Sequence, residues 1–150
     1  MGSMGIRVQL TVDCADPDRL ARFWALALGY LPEEPPRGFE SWAEYWISRG
    51  VPQAELAGGY DSIVDPDGVL PRIWFQQVPE GKVVKNRLHL DLEVGGGRAD
   101  PLPIRKRRVD AEVARLEQAG AIRVGVIATT ARDHYAVAMR DPEGNEFDVG

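Results

Sequence analysis

Hydrophobic and polar residues alternate over Ile6-Arg7-Val8-Gln9-Leu10-Thr11-Val12-Asp13, which predicts a strand with one buried face and Gln9, Thr11 and Asp13 on the other. Asp16-Pro17 then predicts a helix start, because Asp caps well and Pro suits the first helical position. Leu20, Phe23, Trp24, Ala27 and Leu28 recur at helical spacing, and Gly29 fits the stop. Residues 32–38 hold three prolines and a glycine and read as a loop. Ser41 to Arg49 predicts a short helix bearing Trp42, Tyr45 and Trp46. Turn signals at Gly58-Gly59 and Asp65-Pro66-Asp67-Gly68 bracket a strand near Asp61–Val64, and Arg72 to Val78 predicts another, with Ile73 and Phe75 opposite Trp74 and Gln76.

The second half runs in the same order. Over Arg87 to Val94, Leu88, Leu90, Leu92 and Val94 face one way, and His89, Asp91 and Glu93 the other. Val109, Val113 and Leu116 mark an amphipathic helix ending before Gly120. Strands follow near 121–128, 134–140 and 145–149, the last two joined by the turn Asp141-Pro142-Glu143-Gly144-Asn145. Each half therefore offers helix-covered strands whose second face is polar, an internal repeat of order rather than of close sequence. Two such sheets curled together would enclose a polar-lined cup.

Length and composition narrow the chemistry. The 150 residues suit one domain of ordinary size that needs no disulfide or metal staple. A net charge of −5 argues against a broad grip on nucleic acid, and no apolar run approaches the roughly 18–20 residues of a membrane span. Met1-Gly2-Ser3-Met4 reads as an expression scar ahead of the native start. The single Cys14, with no secretion signal, fits the cytoplasm and a small packed side chain. One cysteine and two histidines, His89 and His134, exclude Cys-rich zinc cages and a three-histidine site within one chain. Arg105-Lys106-Arg107-Arg108 reads as a solvated loop before a helix, open to pairing with Glu112 or with the acidic excess elsewhere, and Gly95-Gly96-Gly97-Arg98 as a flexible connection. No local motif marks a serine or cysteine nucleophile.

Three segments carry a family resemblance: Asp13-Cys-Ala-Asp-Pro-Asp-Arg-Leu-Ala-Arg-Phe-Trp, Lys85-Asn-Arg-Leu-His-Leu-Asp-Leu and Asp141-Pro-Glu-Gly-Asn-Glu-Phe-Asp-Val. Together they resemble the glyoxalase/bleomycin resistance/extradiol dioxygenase (vicinal oxygen chelate) superfamily over residues 6–149. The resemblance implies an α+β fold of tandem βαβββ modules, about 6–80 and 86–149, forming a curved eight-stranded cup within a single domain spanning 5–150. It also implies, in the enzymes, one divalent metal held by the first and last strands of each module. Carried over by motif, those ligands fall on Gln9, on His89 and on Asp148, which lies seven residues after Asp141. The fourth falls on Trp74 or Gln76, neither of them a carboxylate, so the ligand set departs from the family pattern.

Two functions follow. One is a metal-assisted lyase, isomerase or oxygenase acting on a small metabolite, with Zn, Ni, Fe, Mn or Mg held by Gln9, His89 and Asp148 and acting as a Lewis acid. His134 and Asp91 are then the proton-handling candidates, and Asp91 can alternatively orient the His89 imidazole. The other is a metal-free protein that sequesters a drug-like compound, with Trp42, Trp46, Trp74 and Gln76 as its ligand wall. Bland readings stand beside each: His89 as a polar residue paired with Asp91 or Asp148, His134 at a strand end, and the tryptophans as core. Either function takes a small-molecule ligand, with neither nucleic acid nor membrane as partner, and allows a homodimer.

Overall fold

The computed structural model describes residues 5–150; the expression-scar reading of residues 1–4 falls outside them. The chain divides into two compact units, Met1–Gly81 and Lys82–Gly150. Each is a βαβββ module, and together they form the mixed α+β arrangement expected.

In the first unit, β1 (Leu10–Cys14), β2 (Leu31–Pro32), β3 (Ser62–Val64) and β4 (Ile73–Gln77) form a sheet in the order β1-β4-β3-β2. Helix α1 (Pro17–Leu28) starts as its sequence dictates: Asp16 accepts the Arg19 N–H, Pro17 opens the helix, and Gly29 closes it at φ 70°. Its apolar stripe, Leu20, Phe23 and Trp24, is buried with Ile63, Ile73 and Phe75 of the sheet. Full burial of each large side chain contributes about 1.5–3 kcal/mol, which makes this stripe the main reason the helix stays docked. Cys14 is buried, its thiol turned to the Gln76 carbonyl at 3.5 Å. Helix α2 (Trp42–Ser48), capped by Ser41, is different: none of its residues is buried.

In the second unit, β5 (Asp91–Leu92), β6 (Ile122–Thr129), β7 (His134–Arg140) and β8 (Glu146–Val149) form a sheet in the order β5-β8-β7-β6. Helix α3 (Leu102–Gln118) packs Val109, Val113 and Leu116 into a core with Val137, Met139, Phe147 and Val149. The β7–β8 turn is organised by Asp141, which is only 1% exposed. Its carboxylate accepts from the Glu143 and Asn145 backbone N–H groups and from the Asn145 side chain.

Four expectations are corrected. The first strand begins at Leu10 rather than Ile6: the parallel β1–β4 ladder opens with Leu10 opposite Ile73, the Leu10 N–H donating to the Arg72 carbonyl at 3.0 Å. The strand expected over 87–94 shrinks to Asp91–Leu92, and Leu88 is 90% exposed. Before it, Asn86 bonds the backbone and carboxylate of Glu146 in place of a ladder. The basic run Arg105–Arg108 lies inside α3, not in a loop. Three of its four charges are met by carboxylates, Arg105 by Asp133, Lys106 by Asp110 and Arg108 by Asp100, while Glu112 pairs with Arg115. Finally, the triglycine segment is pinned rather than free. Arg108 bonds the Gly95 carbonyl, and a Cβ on Gly96, at φ 94°, would meet the Arg108–Asp100 pair at 2.5–2.8 Å.

Candidate functional site

The first unit carries a groove of about 630 Å³. The period-two alternation of β4 buries Ile73 and Phe75 and leaves Trp74 on the opposite face, with Thr11 beside it in register. Trp74 forms part of the groove lining, and its indole N–H donates to Asp61 at 3.3 Å. Trp42, Tyr45 and Trp46 of α2 line the groove too. Trp42 and Trp46 stack at 6.2 Å between ring centroids, as their four-residue spacing on a helix allows, and Tyr45 meets Trp46 edge-on at 4.9 Å. The Trp42 N–H donates to the Glu33 carbonyl at 2.7 Å, tying the helix to the strand side. With none of its residues buried, α2 lies outside the core.

Gln9 and Arg72 also line this groove. The Gln9 side-chain oxygen, the atom expected to face a metal, accepts from Arg72 Nη1 at 2.8 Å. Glu33 takes Arg72 Nε and Nη2 at 2.6 Å and the Ser62 hydroxyl at 2.7 Å. Burial pushes the Glu33 carboxyl up, but the bonds from Arg72 and Ser62 outweigh it, and its pKa ends below the ordinary value. A guanidinium thus stands on the donor atom of Gln9. Gln76, expected beside Trp74, is exposed and is not among the lining residues; Gln77 is.

The second unit brings together three of the expected residues. Asp91 of β5 and Asp148 of β8 are direct neighbours in a parallel register, and His89 precedes Asp91 by two, which puts all three on one face. His89 Nε2 lies 3.3 Å from Asp91 Oδ1 and 3.5 Å from Asp148 Oδ2. One ligand atom from each of the three falls within 4.8 Å of the others. Asp91 therefore faces the same imidazole nitrogen as Asp148. A carboxylate that orients a metal-bound imidazole holds the nitrogen opposite the metal, so this geometry leaves Asp91 open to the role of companion donor. One imidazole and two carboxylates suit a divalent transition metal, and their close convergence fits a single ion.

Asp91 and Asp148 also line a groove of about 690 Å³, together with His134, Asp133, Arg105 and the triglycine segment. Ala138 pairs with Asp148, and His134 lies four residues earlier on β7 on the same face. That separation is about 13 Å along the strand, which sets the His134 backbone well away from the residue paired with Asp148. Sequence reading missed Arg105. It occupies the apolar register of α3, four residues before Val109, and is buried. Its guanidinium bonds the Asp100 carbonyl at 3.0 Å and the Asp133 carbonyl and carboxylate at 3.1 and 2.6 Å. Asp133, at φ 48°, is held in the left-handed region beside His134 by these bonds. The spacing 105-109-113-116 was the available signal, masked by the charge.

Comparison with known proteins gives a consistent result. Residues 9–150 match the family model described as "Glyoxalase-like domain". No curated protein sequence matches the chain significantly. Among solved structures, a glyoxalase/bleomycin resistance protein/dioxygenase family enzyme from Burkholderia phytofirmans PsJN is similar at TM-score 0.58 and 17% identity, covering 94% of each chain. A possible glyoxalase from Bacillus cereus is similar at TM-score 0.56 and 17% identity, covering 98% of each. A variant of the fosfomycin resistance protein FosX from Listeria monocytogenes, complexed with Mn(II) and 1S,2S-dihydroxypropylphosphonic acid, is similar at TM-score 0.57 and 10% identity, covering 99% of this chain and 90% of that one. At these identities the likeness establishes the fold alone.

Proposed function

This chain belongs to the glyoxalase-like domain family, and from that premise we propose that it binds a flat, largely apolar small molecule in the aromatic groove of its first unit. The observation carrying this reading is α2, a helix with no buried residue that sets Trp42, Tyr45 and Trp46 into a groove also lined by Trp74. An aromatic helix face left out of the core costs hydration unless a ligand covers it. Stacking on such rings is sequestration chemistry and needs no reaction. Quinoline at pH 7.5 is a suitable probe. It should quench tryptophan fluorescence saturably, and Trp74→Ala should weaken its binding. Unchanged affinity in Trp74→Ala would sink the reading.

A second reading rests on the three-residue cluster of the second unit. His89, Asp91 and Asp148 would hold one divalent metal, which when bound supplies Lewis-acid stabilisation of an enolate-like charge. Family membership favours this reading, and the FosX relative carries Mn(II). In this chain Asp91 and Asp148 line the second-unit groove, while His134 holds or accepts a proton at its far end. The reaction class would be a lyase, isomerase or oxygenase step. Metal analysis after purification without chelator tests it. Near-stoichiometric Mn, Fe, Ni or Zn that falls on His89→Ala supports it, and no metal above background refutes it. No described helix is long and apolar enough to cross a membrane. The buried thiol of Cys14 fits the proposed cytoplasmic setting, and a homodimer belongs to the same proposal, read by light scattering.

A further inference from the structure

The charges around the first-unit groove say more about its ligand than the rings do. Its lining holds one cation, Arg72, and two carboxylates, Glu55 and Asp61. The Arg72 charge is already met by Glu33, which takes two of its nitrogens at 2.6 Å. Among the described residues, the donor to the Asp61 carboxylate is a neutral one, the Trp74 indole N–H, and that bond makes the indole face more electron-rich. Net negative charge therefore stands beside a wall of rings. The wall already holds one cation of the chain itself: the Arg49 guanidinium lies over the Tyr45 ring at 5.3 Å.

We propose that the first-unit groove selects a flat organic cation, a quaternised or protonated nitrogen heterocycle, stacked on Trp74 and the α2 rings with its charge facing Asp61 and Glu55. The inference rests on the groove reading above and names its ligand class. Ring faces attract cations through their quadrupole, and a carboxylate nearby adds a charge that a neutral ring cannot use. Anions meet the opposite situation, because the one guanidinium in the lining is occupied by Glu33 and Gln9.

Equilibrium dialysis with three probes of similar shape tests this: N-methylquinolinium, its neutral isostere 1-methylnaphthalene, and 1-naphthoate. The cation should bind at least about tenfold tighter than the isostere, and the anion most weakly. Asp61→Asn keeps an oxygen to accept the Trp74 N–H, and Glu55 is exposed, so the Asp61→Asn/Glu55→Gln variant tests charge rather than folding. It should bring cation and isostere within about threefold of each other. Equal or tighter binding of 1-methylnaphthalene or 1-naphthoate by the wild type, lost in Trp74→Ala, overturns the charge inference and leaves the groove in place. Saturable binding of none of the three overturns both.

Discussion

Asp141→Ala is expected to be the most damaging polar substitution in the second unit. The side chain is 1% exposed and spends both oxygens on the turn: Oδ1 accepts from the Glu143 and Asn145 N–H groups at 2.9 and 3.0 Å, and Oδ2 from Asn145 Nδ2 at 2.9 Å. Hydrogen bonds to a charged acceptor contribute about 1.5–3 kcal/mol each, but the three share one group and water replaces part of the loss on the half-buried turn. A total of about 2–4 kcal/mol follows. In urea this lowers the midpoint by about 1–2 M at unchanged slope. Asp141→Asn keeps one acceptor but sets a donor against Asn145 Nδ2 until one amide flips, so it should cost less, about 1–2 kcal/mol. The turn also fixes the β7–β8 register, and so the seating of β8, the strand that carries Asp148 against Asp91 of β5. Any metal affinity should therefore fall with Asp141→Ala even though Asp141 touches no ligand atom. Urea unfolding followed by circular dichroism measures the first effect, and metal titration the second. A midpoint within about 0.2 M of wild type would refute the account of this turn.

Other outcomes follow from the same contacts. The Glu146 carboxyl is pulled down from 4.5 to about 2, first by the Asn86 backbone N–H and then by Lys82. Its contribution is thus present above about pH 4.5 and lost as pH falls toward 2, so Glu146→Gln should flatten the acid limb of the stability profile; an unaltered limb excludes Glu146 as its source. Arg105→Lys loses the fork that holds Asp133 and should cost about 1–3 kcal/mol, read as a lower melting temperature. Gln9→Ala should leave metal content unaltered, because its oxygen is committed to Arg72, whereas Asp91→Asn should lower it; equal losses in both would reject Asp91 as the companion donor.

Local chemistry determined much of this protein. The cap at Asp16, the proline after it, the stop at Gly29 and the turn at Asp141 act through bonds within a few residues, so they are legible in one dimension and recur in the structure as read. Period-two alternation likewise placed Trp74 opposite Phe75, and put His89 and Asp91 on one face. What alternation lacks is the neighbour. Leu88 continues the pattern of β5 but lies bare, because Asn86 takes the bonds that a ladder would use. Arg105 looks like solvated charge but is buried, because Asp133, 28 residues away, supplies its partner. Asp91 and Asp148 meet at one imidazole nitrogen only because β5 and β8 pair in parallel at that register. Gln9 reads as a metal donor in one dimension, and only the pairing of β1 with β4 shows Arg72 beside it, bonded to its oxygen. Side-chain roles at the grooves depend on partners far along the chain, and only the tertiary structure sets those partners.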